Sequence, residues 1–152
     1  MKNRPLSFTK TEPSLDVATL RRYAEGWLLS CDIDQNSAST LALRRFLLAK
    51  LFWFLEKHTL SCCGLHELRQ FLAYVTNGHK QPGGRWDNPR LTKPTRPSTV
   101  ATYHRHLPAL FSWLVVEGGL EASPMERIPA PTARADQIQP FLRSTGLSRP
   151  RR

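Results

Sequence analysis

Residues 98–125 read STVATYHRHLPALFSWLVVEGGLEASPM, and their spacing decides the fold of this 152-residue chain. Val100, Tyr103, Leu107, Leu110, Phe111 and Leu114 recur every three or four positions, so they share one face of a helix. Ser98 is the expected N-cap, because its hydroxyl can accept a backbone N–H that the first turn leaves unpaired. Gly118-Gly119 stops the helix, and Pro124 seals the end. Pro108 lacks the N–H that would bond the His104 carbonyl, which predicts a kinked or shortened helix.

Working outward, three more helical segments precede this one. Over about 15–30, Leu20, Tyr23, Ala24, Trp27 and Leu28 form an amphipathic stripe. Over about 37–58, one apolar face carries Leu41, Leu48, Leu51, Phe52 and Leu55, and a second carries Leu43, Leu47 and Phe54. A helix apolar on most sides is the buried one, which places this segment at the centre. Over about 65–76, Leu65, Leu68, Phe71, Leu72 and Val75 point inward. Nothing reads as a strand pair, so the expected class is all-α, with four helices. Segment 78–97 contains Pro82, Gly83, Gly84, Pro89, Pro94 and Pro97; a loop of this length is usually functional or disordered. The expected organisation is a basic arm at 1–14, a helical domain at 15–128 and a linker or tail at 129–152.

The formal charge is +10, and its position is more telling than its size. The arm carries +2, segment 79–96 carries +4 and segment 129–152 carries +4, leaving the periodic body balanced. Basic arms and loops suit a polyanion, since each Lys or Arg that neutralises a phosphate releases a counterion. Cys31, Cys62 and Cys63 are odd in number and lack framework spacing, which argues for reduced thiols in a cytosolic setting. No apolar run follows Lys2 and Arg4, so no signal peptide is expected. The apolar stretch 41–55 is broken by Arg44, Arg45 and Lys50 and is too short to span a bilayer.

Taken in order, the motifs resemble the core-binding domain of the tyrosine recombinases, the phage integrase family. Ser37-x-x-Thr40 opens the second helix, and Leu51-Phe52-x-Phe54-Leu55 lies within it. Leu65-x-x-Leu68-Arg69-x-Phe71-Leu72-x-x-Val75 is similar to the family's short third helix. Thr99-Val100-x-x-Tyr103-x-x-x-Leu107, Phe111-x-Trp113-Leu114 and Glu117-Gly118 carry the strongest match. The family's usual Asn-Pro is here Ser123-Pro124; serine makes the same local turn hydrogen bond more weakly. The likeness covers about 15–131. It implies a SAM-like orthogonal bundle of four helices that forms half of a clamp around duplex DNA. It also implies a role in DNA integration and recombination, neighbouring recombinase protomers as partners on DNA, and a nucleoid-associated cytoplasmic location.

The resemblance lays the second and fourth helices against the major groove, where Arg can bond guanine O6 and N7 together. Ser98, Thr102 and Arg105 fall opposite the apolar stripe of the fourth helix, and Ser98 and Thr99 sit at its phosphate-favouring N-terminus. Arg44, Arg45 and Lys50 are the polar breaks in the second helix; the competing reading is a solvated edge with stems lying on neighbours. Lys80, Arg85, Arg90, Lys93 and Arg96 complete the expected DNA-binding set. Trp86, between them, packs either on the body or against DNA.

The family's catalytic half requires an arginine motif, a lysine, His-x-x-Arg and a Tyr nucleophile. His66-x-x-Arg69 and Tyr103 occur, but both lie on ordinary amphipathic helices, and Tyr103 is on the inward stripe. No catalytic residue is expected, and a catalytic domain would be expected to begin near Gln139-Pro140-Phe141. His58, Cys62, Cys63 and His66 lack zinc-site spacing, so no metal or other cofactor is expected. Neither a membrane nor a small-molecule substrate is an expected partner. The rival class is a helical protein-interaction module whose charge is incidental.

Overall fold

Leu15 pairs with Cys63 across a two-stranded antiparallel sheet of β1 (Ser14–Asp16) and β2 (Cys62–Gly64). This corrects the expectation of no strand pair and moves Leu15 out of the first helix. Three residues per strand are too few to carry a period-two signal, and the pairing is set by distant parts of the chain. The computed structural model describes residues 13–80 and 83–131. The basic arm up to residue 12, Pro82 and the tail from residue 132 therefore lie outside the described residues.

Asp16 ends β1 and caps α1 (Val17–Ile33): its carboxylate accepts the Thr19 N–H at 3.1 Å and the Thr19 hydroxyl at 2.7 Å. Those bonds hold its pKa below the usual carboxylate value. Asn36 turns the chain by donating its amide to the Cys31 carbonyl at 2.9 Å. Ser37 then caps α2 (Ala38–Lys57), accepting the Thr40 N–H at 3.1 Å. The third helix, α3 (Leu65–Thr76), follows β2 directly, and Glu67 reaches back to accept the Gly64 N–H at 2.9 Å. These helices fall where the apolar periods put them, to within three residues at each end.

The fourth helix, α4 (Pro97–Val116), differs at its start. Arg96 occupies the cap position without a side-chain bond, Pro97 is the first helical residue, and Ser98 lies inside the first turn. Proline is favoured there because its fixed φ suits the helix and its missing N–H is not needed. Helix α4 continues through Pro108 to Val116, so it is not shortened. At its end the Gly119 N–H reaches the Leu114 carbonyl at 2.9 Å and the Gly118 N–H reaches Val115 at 3.1 Å. This paired closure needs a left-handed residue, and Gly118 supplies it at φ 86°.

Among the described residues, four α-helices and one small sheet make up the regular structure, apart from two short 3-10 turns. Among the helices, the most extensive contacts join α1 to α2, α2 to α3, α3 to α4 and α4 back to α1. That ring corrects the placement of α2 at the centre. Its two apolar faces merge into one wide buried stripe of Leu47, Leu48, Leu51, Phe52, Phe54 and Leu55, while Ala42, Arg45, Phe46 and Ala49 remain exposed. All six stripe residues of α4 are buried, with Leu110, Phe111 and Leu114 at 0% exposure. The 3-10 turn Pro124–Arg127 closes the core beneath α3 and α4, with Met125 buried and the Ser123 hydroxyl accepting the Met125 N–H at 3.1 Å.

Candidate nucleic-acid interface

Segment 78–97 is built rather than structureless over its described residues. Gly84 enters the 3-10 turn Arg85–Asp87 at φ 64°, and a side chain there would collide with the Asn88 carbonyl. Trp86 and Asp87 follow at φ 59° and 56°, a costly conformation for a bulky residue that only surrounding contacts can hold. The contacts are present. Trp86 packs on Trp53, Phe71 and Tyr74 with ring centroids 5.4, 6.2 and 5.1 Å away. The Trp86 backbone N–H donates to the Tyr74 hydroxyl at 3.0 Å, and Lys57 bonds Asp87 at 2.9 Å. Trp86 thus takes the first of its two readings and packs on the body.

Arg85 corrects the expected DNA-binding set. It is 5% exposed, and its guanidinium donates to the carbonyls of Asn77 at 2.7 Å and Lys93 at 2.6 Å. A side chain buried in this way presents nothing to a groove. Burial lowers its pKa, partly offset by the nearby Tyr74 and Tyr103 hydroxyls. Lys80, Arg90, Lys93 and Arg96 lie on the outside of the same loop, exposed and without an ion pair among the described residues.

The three residues of α2 in the expected DNA-binding set, Arg44, Arg45 and Lys50, are not brought together. Arg44 turns inward, donating its Nε–H to His106 Nδ1 at 3.2 Å and a terminal N–H to Cys31 Sγ at 2.9 Å. Its guanidinium also stacks on Trp27, 4.6 Å from the ring centroid. It ties α1, α2 and α4 together, so its half-buried position belongs to the fold as much as to any surface. Arg45 faces the shallow groove between α1 and α2, beside Arg21 and Glu25. Lys50 lies on the opposite side, with its ammonium 5.1 Å from the Phe46 ring and 4.9 Å from that of Trp86. Burial lowers the Lys50 pKa.

On α4 the outward face is as the spacing predicts. Ser98 and Arg105 are exposed and Thr102 is half-buried, within a sector of about 60° at 100° per residue. Thr102 gives its hydroxyl proton to the Ser98 carbonyl at 3.0 Å, and Thr99 is exposed in the first turn. His106 was not anticipated. It is 9% exposed, between Arg44 and Arg105, and a lone His beside an apolar stripe gives no signal of such neighbours.

Because Arg44 donates to Nδ1, the His106 ring is neutral with its proton on Nε2. Burial, then Arg44 and Arg105, lower its pKa, and burial alone lowers that of His104, whose Nδ1 has no partner among the described residues. The unfolded chain therefore takes up these two protons from about pH 6.5 downward, before the folded chain does. Stability is fully present above that value and declines as the pH falls. The thermal midpoint should drop between pH 7 and 5.5, and His106→Gln should flatten the drop. A midpoint independent of pH in that window contradicts this picture.

The catalytic look-alikes do not gather. Tyr103 is 2% exposed, with burial pushing its pKa up to about 12, the reverse of an activated phenol. His66 and Arg69 are exposed on α3. Cys63 is buried, and burial raises its pKa. Among the described residues no group of three or more His, Cys, Asp or Glu could hold a metal ion, and no helix is long and apolar enough to cross a membrane. No protein-family model, curated protein or solved structure matches the chain.

Proposed function

We propose that this chain is a DNA-binding domain of the core-binding type found in tyrosine recombinases, and that its four helices form the SAM-like orthogonal bundle of that type. One observation carries the reading. Lys80, Arg90, Lys93, Arg96 and Arg105 are exposed and unpaired among the described residues, on one loop and the helix it leads into, while the helical body, Arg105 included, is charge-balanced. Loop cations of this kind engage phosphates, and the outward face of α4, with Ser98 and Arg105 exposed and Thr102 half-buried, is the element that could enter a major groove. The bundle holds the duplex without cutting it, as part of an integration or recombination machine that works beside further protomers.

A second reading rests on apolar exposure. Leu29 and Ile33 are 65% and 77% exposed one turn apart on α1, and Val116 is 82% exposed. These favour a helical interaction module. Titrating a labelled duplex of about 20 base pairs at low salt separates the two. Saturable binding is expected; no binding at low salt returns the chain to the interaction-module reading.

A further inference from the structure

Between the end of α3 and the start of α4 lies an open groove of about 630 Å³, lined by Gly78, Lys80, Thr92, Lys93 and Pro94. One wall is the chain leaving α3; the other is the chain approaching α4. Two backbone bonds cross between them, from the His79 N–H to the Thr92 carbonyl at 2.7 Å and from the Thr95 N–H to the Thr76 carbonyl at 3.2 Å. Behind them sits the Arg85 guanidinium, whose one terminal nitrogen bonds Asn77 in the first wall and Lys93 in the second. Arg85 is itself fixed, since its N–H donates to the Leu91 carbonyl at 2.8 Å. Its side chain bonds both walls at once, and the Thr95 hydroxyl adds a bond from the second wall to the Val75 carbonyl at the end of α3.

We propose that Arg85 is a positioning residue, which joins the walls of this groove so that Lys80 and Lys93 together take a phosphate of the duplex backbone. The inference rests on the DNA-binding reading and deepens it. Both lysines are exposed and free of ion pairs among the described residues, so neither must break a bond to receive an anion. Two long side chains lose rotamer freedom on binding, and a fixed spacing of their backbones reduces what must be ordered. Arg85 also leaves its positive charge beneath the groove, where solvent screens it less. The strained Trp86 and Asp87 fit the same picture: the turn is held in place by α2 and α3 rather than by its own preference.

The test is the salt dependence of duplex binding in Lys80→Gln/Lys93→Gln, in Arg85→Met and in the triple variant. The double variant should flatten the log–log slope by about 0.9, the share of the one phosphate the two lysines hold. Arg85→Met should flatten it comparably although Arg85 is buried, and the triple variant should bind no more weakly than the double. Arg85→Lys, which keeps a buried cation with several donors, should restore part of the affinity; it also serves as the test variant if Arg85→Met fails to fold. A wild type that binds duplex while Arg85 variants keep its slope, or whose effects add in the triple variant, overturns the positioning role alone. A wild type that binds no duplex overturns the DNA reading and the groove's ligand with it. Tighter binding to anionic vesicles than to duplex overturns the choice of DNA as the phosphate source.

Discussion

Phe71→Ala should destabilise the domain by about 3–5 kcal/mol, the range for deleting a buried aromatic ring whose surroundings collapse only in part. Phe71 is fully buried, and its ring meets Phe54 and Tyr103 with centroids 5.5 Å away in each case. It also touches Trp86 at 6.2 Å, so it supports both the core and the strained turn of the basic loop. A domain of this size has a total stability of about 5–15 kcal/mol, so the loss should be visible as a large shift in the urea midpoint. Hydrogen exchange should quicken in the loop as well as in α3. A midpoint within about 1 kcal/mol of wild type would mean that the ring is not the keystone its burial indicates.

The second large effect concerns charge. Replacing Lys80, Arg90, Lys93 and Arg96 together by glutamine removes four exposed cations and, on the structure, no internal bond from their side chains. Exposed substitutions of this kind usually change stability by less than about 0.5 kcal/mol each. Duplex affinity should fall by more than about 100-fold near 0.1 M salt, and the gap should narrow as salt rises, because ~0.9 of the log–log slope goes with each lost contact. The thermal midpoint serves as the internal control. Unchanged affinity with an unchanged midpoint would remove the loop from the interface and leave the exposed apolar residues of α1 as the better guide to function.

Much of the fold was legible because local periodicity and global packing agree. The stripes of α1, α3 and α4 are the buried faces, and Ser37 caps α2 as its position before an apolar run predicts. What was illegible depended on contacts distant in sequence. The strand pair needs Ser14 to meet Gly64, fifty residues on, and three-residue strands have no period to read. The cap of α4 moved because Pro97 fits the first helical position better than Ser98 fits the cap. The candidate site was legible in its charges and not in their directions. Arg44 and Arg85 look in sequence like their neighbours, yet one stacks on Trp27 and the other bonds two carbonyls that only the folded loop brings within reach. A polar loop in sequence does not announce a buried guanidinium.

The central claim is that the unpaired cations of the loop and of α4 grip a duplex through its phosphates. It is tested most directly by measuring the duplex dissociation constant of the wild-type chain across a salt series from 50 to about 400 mM. Four phosphates, one shared by Lys80 and Lys93 and one each on Arg90, Arg96 and Arg105, predict a linear log–log plot with a slope near 3.6 at ~0.9 per phosphate, or steeper if the rest of the chain adds contacts. A slope near zero, or affinity that persists unchanged to high salt, would contradict it.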